Sequence, residues 1–275
     1  VIKMPELPEI TVLARQMDIA LKGRVFSGVE ALQPKCLNLP PDEFAGELSG
    51  QQIQGAYAHG KWIVTTMTEG HLLINLGMGG EVLLLSGRRD LPEKVRVVLD
   101  LEDGACLALN FWWFGYCHYA SDLANHPMLA KLGPHFMALA LDEFRELLHG
   151  RRGGIKSFLL NQQRIAGIGN VYVQDPLFKA GLHPLRSIAS LSDGEIEVLW
   201  LALRETLQES IDHRGTKWEQ DLYGQHGTWD NSFFLVAYRE GEPCPTCGSI
   251  VEKAKTGSTS SYICPQCQPA DPSRV

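Results

Sequence analysis

The chain has 275 residues, of which 44% are hydrophobic and 21% charged, and a net charge of -7 at pH 7. That profile excludes a disordered tail, a collagen-like fibre and a small disulfide scaffold, and the length favours two domains over one. No apolar run reaches the roughly 18 residues of a membrane span. Pro5, Glu6, Pro8 and Glu9 break the apolar stretch near the start, so a secretory signal is not expected either, and the expected location is the cytoplasm. The acid excess sits mostly in residues 1–150 and argues against a generic nucleic-acid binder. Any contact with nucleic acid must come from a local patch.

In chain order, Pro8 stands where a first helical turn begins. Ile10, Leu13, Ala14, Met17 and Leu21 follow at helical spacing, and Gly23 can end the helix. From Arg24 to about Tyr119 the pattern changes to eight short apolar runs separated by Gly, Asp-Gly and Glu-Gly turns, which predicts a β-sandwich or barrel. Punctuation at His126-Pro127 and Gly133-Pro134 marks a boundary. Helices are predicted at Asp142–His149, Ile155–Leu160, Val171–Ala180 and Asp193–Ile211, the last capped by Ser192 or Asp193. Residues 215–232 read as a surface loop. The expected domains are 1–130, 131–240 and 241–275.

Cys244, Cys247, Cys264 and Cys267 form two C-x2-C knuckles with 16 residues between them. The intervening Ile250–Ile263 predicts a β-hairpin with Gly257-Ser258 near its tip. Four thiolates at this spacing make a closed tetrahedral site for one structural Zn2+. Cys36, Cys106 and Cys117 lie in apolar runs and read as buried thiols.

The opening Met4-Pro5-Glu6-Leu7-Pro8-Glu9 resembles the start of the formamidopyrimidine-DNA glycosylase and endonuclease VIII family, closer to the formamidopyrimidine branch. Gly60-Lys61-Trp62, Leu76-Gly77-Met78-Gly79-Gly80, Lys131-Leu132-Gly133-Pro134 and Ile155-Lys156 continue the resemblance. So do the segment Arg164–Tyr172, which looks like a helix–two-turns–helix motif, then Lys179–Pro184 and the four-cysteine finger. The resemblance implies an α+β multidomain fold: an N-terminal β-sandwich with a leading helix, a helical domain and a zinc-finger hairpin. It implies a monomeric base excision repair enzyme of the bacterial cytoplasm or nucleoid. Such an enzyme removes oxidised or ring-opened bases from double-stranded DNA and cuts at the abasic site.

By the same resemblance Pro5 is the nucleophile, through an N-terminal amine freed by loss of Met4. Glu6 is the general acid/base and Glu9 a supporting carboxylate, with an N-terminal helix role as its plain alternative. Lys61, Lys156 and Asn170 are implied to contact phosphates. Met78 and Phe114 fill the gap that a flipped base leaves. An amide nitrogen cannot form an iminium ion, so Val1–Met4 must be absent from the active chain; translation is expected to start at Met4.

Two segments depart from the family pattern. Asn110-Phe111-Trp112-Trp113-Phe114-Gly115 has Trp112 and Trp113 where the family carries arginines that face the opposite base. Indoles stack but have a single donor, so weaker dependence on opposite cytosine is expected unless both are core residues. At the hairpin tip Thr259 stands where the family usually has an arginine, and with the pI of about 5.7 this implies weaker, less salt-sensitive DNA binding. Trp218, Tyr223, His226 and Trp229 are candidate pocket residues, and the damaged base itself stays open. A non-catalytic DNA-damage-binding protein is the alternative. A zinc-ribbon adaptor leaves Met4–Glu9 and Asn170 unexplained.

Overall fold

The computed structural model describes residues 4–270 and divides into two compact units. The first runs through Lys131 and takes in His213–Thr228; the second comprises Leu132–Asp212 and the chain from Trp229 onward.

The first unit opens with α1, Leu7–Leu21. Its Ile10, Leu13, Ala14, Met17 and Leu21 are buried, as the helical spacing predicts. Gly23, at φ 85°, turns the chain out of the helix, a left-handed conformation that glycine adopts without cost. Eight antiparallel strands follow in two four-stranded sheets. One has the order β1 (Phe26–Ala31), β6 (Val97–Leu101), β7 (Cys106–Asn110), β5 (Glu81–Leu85). The other has the order β2 (Ile53–His59), β3 (Trp62–Met67), β4 (His71–Asn75), β8 (Tyr116–Ala120). Each arises from one of the eight apolar runs. Ile63, Leu72 and Ile74 of one sheet share a core with Val97, Leu99, Leu107 and Leu109 of the other and with the inner face of α1.

A second helix, α2 (Pro41–Leu48), interrupts the predicted series of strands. Its signals are local: Pro41 in the first turn, Asp42 and Glu43 beside the helix N-terminus, and buried Phe44 and Leu48 four residues apart. The three thiols Cys36, Cys106 and Cys117 are buried.

The second unit contains α3 (Leu141–Leu148), α4 (Ile155–Leu160), α5 (Gln174–Lys179) and the long α6 (Asp193–Asp212). Ser192 caps α6: its Oγ accepts from the Glu195 N–H, and Glu195 accepts from the Ser192 N–H at 2.8 Å. The helix predicted over 171–180 shortens to α5 because Val171–Val173 complete the turns after Asn170. The chain then forms the hairpin of β9 (Glu252–Thr256) and β10 (Thr259–Ile263) around Gly257-Ser258, with Gly257 at φ 67°. No helix among the described residues is long and apolar enough to cross a membrane.

Residues 215–232 are not a surface loop. Thr216, Asp221 and Leu222 are buried in the first unit, where the Leu222 carbonyl accepts from the Leu84 N–H. Trp229 is fully buried in the second, packed on Tyr172 and perpendicular to Phe234, which removes it as a pocket candidate. Most of its backbone is met within the stretch, as where the Asp221 N–H donates to the Gln225 carbonyl, and α1 fixes it at two points: Glu9 accepts from the Thr216 N–H and Gln16 from the Leu222 N–H.

Candidate active site, DNA-contact residues and metal centre

Pro5 is buried and leads directly into α1. Glu6 occupies the N-cap in extended conformation, and both Glu6 and Glu9 are 4% exposed. Burying two carboxylates is costly unless their oxygens are met. Glu9 meets this with backbone donors: Oε2 accepts from the Glu6 N–H at 3.0 Å and Oε1 from the Thr216 N–H at 3.0 Å. It therefore ties the helix start to the segment after α6. That approach needs glycine, because a Cβ on Gly215 would lie 2.8 Å from Glu9 Cγ. Thr216 and Gly215 were not legible as site residues, since nothing local in the sequence pairs them with Glu9.

Glu6 Oε1 lies 3.9 Å from Lys61 Nζ, at the edge of ion-pair distance. Lys61 sits in the turn between β2 and β3. The Asn75 amide donates to the Lys61 carbonyl at 3.0 Å, and Asn75 Oδ1 accepts from the Gly77 N–H at 3.0 Å. Asn75, which sequence reasoning missed, thus links the Lys61 turn to the strand that leads to Met78.

Met78 pairs with the β7–β8 turn: its N–H donates to the Trp113 carbonyl at 2.9 Å and its carbonyl accepts from the Trp112 N–H at 3.3 Å. Trp112, Trp113 and Phe114 are 53%, 60% and 67% exposed, so the tryptophans are not core residues. Phe114 is held at φ 57°, and a Cβ on Gly77 would lie 2.1 Å from the Trp113 carbonyl oxygen. The aromatic turn is thus fixed at its base and bare at its tip. Behind it, Trp62 stacks on Tyr116 and meets His126 edge-on.

In the second unit, Asn170 follows Gly167 and Gly169. Gln162 staples the turn by accepting from the Gly167 N–H and donating to the Ile168 carbonyl. The Asn170 Oδ1 accepts from Gln174 Nε2 at 3.1 Å, which orients the Asn170 amide nitrogen away from Gln174.

Lys156 is placed differently from the expectation of a phosphate contact. It is 2% exposed, and Nζ donates to the Ser260 carbonyl at 2.7 Å, Ser261 Oγ at 2.8 Å and Thr256 Oγ1 at 3.5 Å. All three partners belong to the finger hairpin, so the ammonium braces β9 and β10. Burial pushes its pKa down to about 8. Thr259 opens β10 beside the tip and is half-buried. Asp175, also missed by the sequence reading, accepts from the N–H groups of Leu235, Val236 and Ala237 and fixes the chain entering the finger.

The four finger thiols have their sulfurs within 4.8 Å of one another. Cys244 and Cys267 are 3.9 Å apart, and Cys247 and Cys264 3.4 Å. A tetrahedron of Zn–S bonds has edges of about 3.8 Å. The Thr246 and Cys267 N–H groups point at the Cys244 and Cys264 sulfurs at 3.4 Å, as expected where thiolate charge must be held. The donor set fits one zinc ion with no open coordination position, which makes its role structural: it holds the two knuckles together.

Comparison with known proteins agrees with this arrangement segment by segment. Residues 4–111 match the formamidopyrimidine-DNA glycosylase N-terminal domain, residues 132–220 the H2TH domain of that enzyme, and residues 241–270 the zinc finger found in FPG and IleRS. A formamidopyrimidine-DNA glycosylase of Chloroflexus aurantiacus is 37% identical over 96% of this chain and 98% of its own length. One of Herpetosiphon aurantiacus is 34% identical over 96% of this chain and 100% of its own. Among solved structures, a Lactococcus lactis Fpg variant bound to Fapy-dG containing DNA superposes with a TM-score of 0.88 at 26% identity. It covers 97% of this chain and 100% of that one. The same organism's Fpg with abasic-site DNA gives 0.87 at 26% identity, covering 96% and 100%. The chain belongs to the formamidopyrimidine-DNA glycosylase family.

Proposed function

We propose that this chain is a bifunctional DNA glycosylase and abasic-site lyase of base excision repair, acting as a monomer on double-stranded DNA in the bacterial cytoplasm. One observation carries the reading. Pro5 stands at the start of a helix whose first turn buries two carboxylates, one bound to backbone donors on both oxygens and one 3.9 Å from a lysine. A structural first turn needs no lysine beside a buried carboxylate; acid–base work on a sugar does.

Pro5 is competent once Met4 and the residues before it are gone, and the family match beginning at Met4 supports that start. An α-amine titrates near 7.7–8.0, against about 10.4 for Lys, so a usable fraction is neutral at pH 7. Its lone pair attacks C1′ of the deoxyribose. The C1′–base bond breaks, and the base leaves with the bonding pair and a proton. Glu6 protonates the ring oxygen as the sugar opens to an iminium ion. Loss of a C2′ proton then expels the 3′ phosphate, and a second elimination expels the 5′ phosphate. Water releases Pro5. Lys61 faces the phosphate at the lesion, Asn170 donates its amide to a neighbouring one, and Met78 with Phe114 occupies the space the flipped base vacates.

Borohydride trapping tests this reading. Protein beginning at Met4, with that Met removed, is expected to form a covalent adduct with abasic DNA, and protein retaining residues 1–4 is expected to form none. Equal trapping by both would overturn Pro5 as the nucleophile. Trapping by neither would favour a DNA-damage-binding protein.

A further inference from the structure

Gln174 opens α5, four residues after Asn170, and is 1% exposed. Burying a primary amide is costly unless both of its ends are met. Here they are. The two hydrogens of Nε2 serve three acceptors: the Ser260 carbonyl at 3.2 Å, the Asn170 carbonyl at 3.0 Å and Asn170 Oδ1 at 3.1 Å. Oε1 accepts from the Tyr262 N–H at 3.3 Å. Asn170 lies in the turn before α5, and Ser260 and Tyr262 lie in β10, so one side chain joins the helical turn to the finger.

The finger side of this joint is a strand edge. Thr256 and Thr259 close the hairpin, Ser260 stands opposite Lys255 and Tyr262 opposite Lys253. In such a hairpin alternate residues turn their backbone groups away from the partner strand. The Gln174 amide meets that outer edge as a neighbouring strand would. The joint needs donors and an acceptor in one plane, which an amide offers and a carboxylate or ammonium does not. Lys156 Nζ reaches the same Ser260 carbonyl at 2.7 Å, so the hairpin is also anchored without Gln174. What Gln174 adds is control of Asn170. An unheld Asn amide can present either its nitrogen, which donates to a phosphate, or its oxygen, which a phosphate repels. A donor placed on Oδ1 selects the first.

We propose that Gln174 is a positioning residue: it locks the Asn170 amide with its nitrogen free for a phosphate and registers that grip against β10 of the finger. This inference rests on the DNA-glycosylase reading, in which Asn170 donates to a backbone phosphate. It makes the helical turn and the hairpin one phosphate-holding unit, joined through a side chain that itself touches no DNA.

The test is a double-mutant cycle on the zinc-loaded full chain, read by fluorescence anisotropy with a duplex containing a tetrahydrofuran abasic analogue. Gln174→Met keeps the length of the side chain and removes its polar groups; Gln174→Glu keeps the acceptor and removes the donors. Asn170→Ala should weaken binding roughly 10- to 100-fold, and either Gln174 variant roughly 3- to 10-fold. Combined with Asn170→Ala, each Gln174 variant should bind within about threefold of Asn170→Ala alone, because the grip it serves is already gone. Lys61→Ala, in the other unit, is the control: combined with Gln174→Met it should give the product of the two losses. Losses that multiply for the Asn170 pair as they do for the Lys61 pair overturn the proposal. So do unmutated affinity in both Gln174 variants, unmutated affinity in Asn170→Ala, and a binding loss that coincides with unfolding of both Gln174 variants at the temperature of titration. Borohydride trapping of the unmutated protein reads the lyase chemistry separately, so failure of that reading is distinct from failure of the cycle.

Discussion

Glu9 is the residue on which the start of the chain depends most. Its carboxylate accepts from two backbone donors, the Glu6 and Thr216 N–H groups, and each orphaned buried donor costs about 1–3 kcal/mol. Glu9→Ala should therefore lower the urea midpoint with little change in slope, and Glu9→Gln, which keeps one acceptor oxygen, should lower it less. The two tryptophans make a prediction of specificity. With stacking in place of arginine donors, excision opposite each of the four bases should be similar. Trp112→Arg should raise preference for opposite guanine or cytosine by about tenfold, the worth of one good polar contact. A strong cytosine preference in the unmutated protein would contradict this. The resemblance placed Trp112 and Trp113 in an exposed turn and left a core strand as the alternative; their exposure, beside the left-handed Phe114, decides for the turn.

At the scale of elements, β8 and the 3-10 turn after it bury a pair of imidazoles. The Leu129 N–H donates to His126 Nδ1, so the proton of His126 lies on Nε2 and points at His118 Nδ1, 3.0 Å away. Burial first, and then the neighbouring His126, hold His118 down to about 4. Its folded value lies below the ordinary value near 6.5, so as pH falls the unfolded chain takes up the proton first. The stability this pair contributes is whole above about pH 6.5 and is lost as pH falls towards 4. His118→Gln, which keeps a neutral acceptor for His126, should flatten that acid limb in unfolding curves taken from pH 7 to 4. The finger hairpin gives a second case. Its register and tip were readable from Gly257-Ser258 and the cysteine spacing, whereas its brace was not: Lys156 comes from a helix 104 residues before Ser260.

For the whole molecule, charge and metal set the terms of binding. A chain of net charge -7, with Thr259 uncharged and Lys156 buried, presents few cations to phosphate. The slope of log K against log salt should be shallow, about -4 or less in magnitude, by fluorescence anisotropy; a slope near -8 would refute this. Removing zinc should collapse the finger, whose small core of Phe178, Val236, Val251 and Tyr262 is built around Cys244 and Cys264. Chelation is expected to abolish duplex binding and to reduce the hairpin signal in circular dichroism, and added Zn2+ is expected to restore both.

What the sequence by itself determined is what depends on near neighbours. Period 3.6 placed α1 and α6, and short apolar runs placed the eight strands. Paired C-x2-C knuckles specified the metal, and the ordered motifs from Met4 to the finger specified the family. A helix as short as α2 was hidden because eight residues carry little periodicity between strands. Only the tertiary structure decided which groups are buried and which are met. It brought Thr216 across 207 residues to Glu9, withdrew Lys156 into the finger and buried Trp229 on Tyr172. The reason is that hydrogen-bond partners and solvent access are properties of contacts between distant segments, and local pattern carries no record of which segments those are.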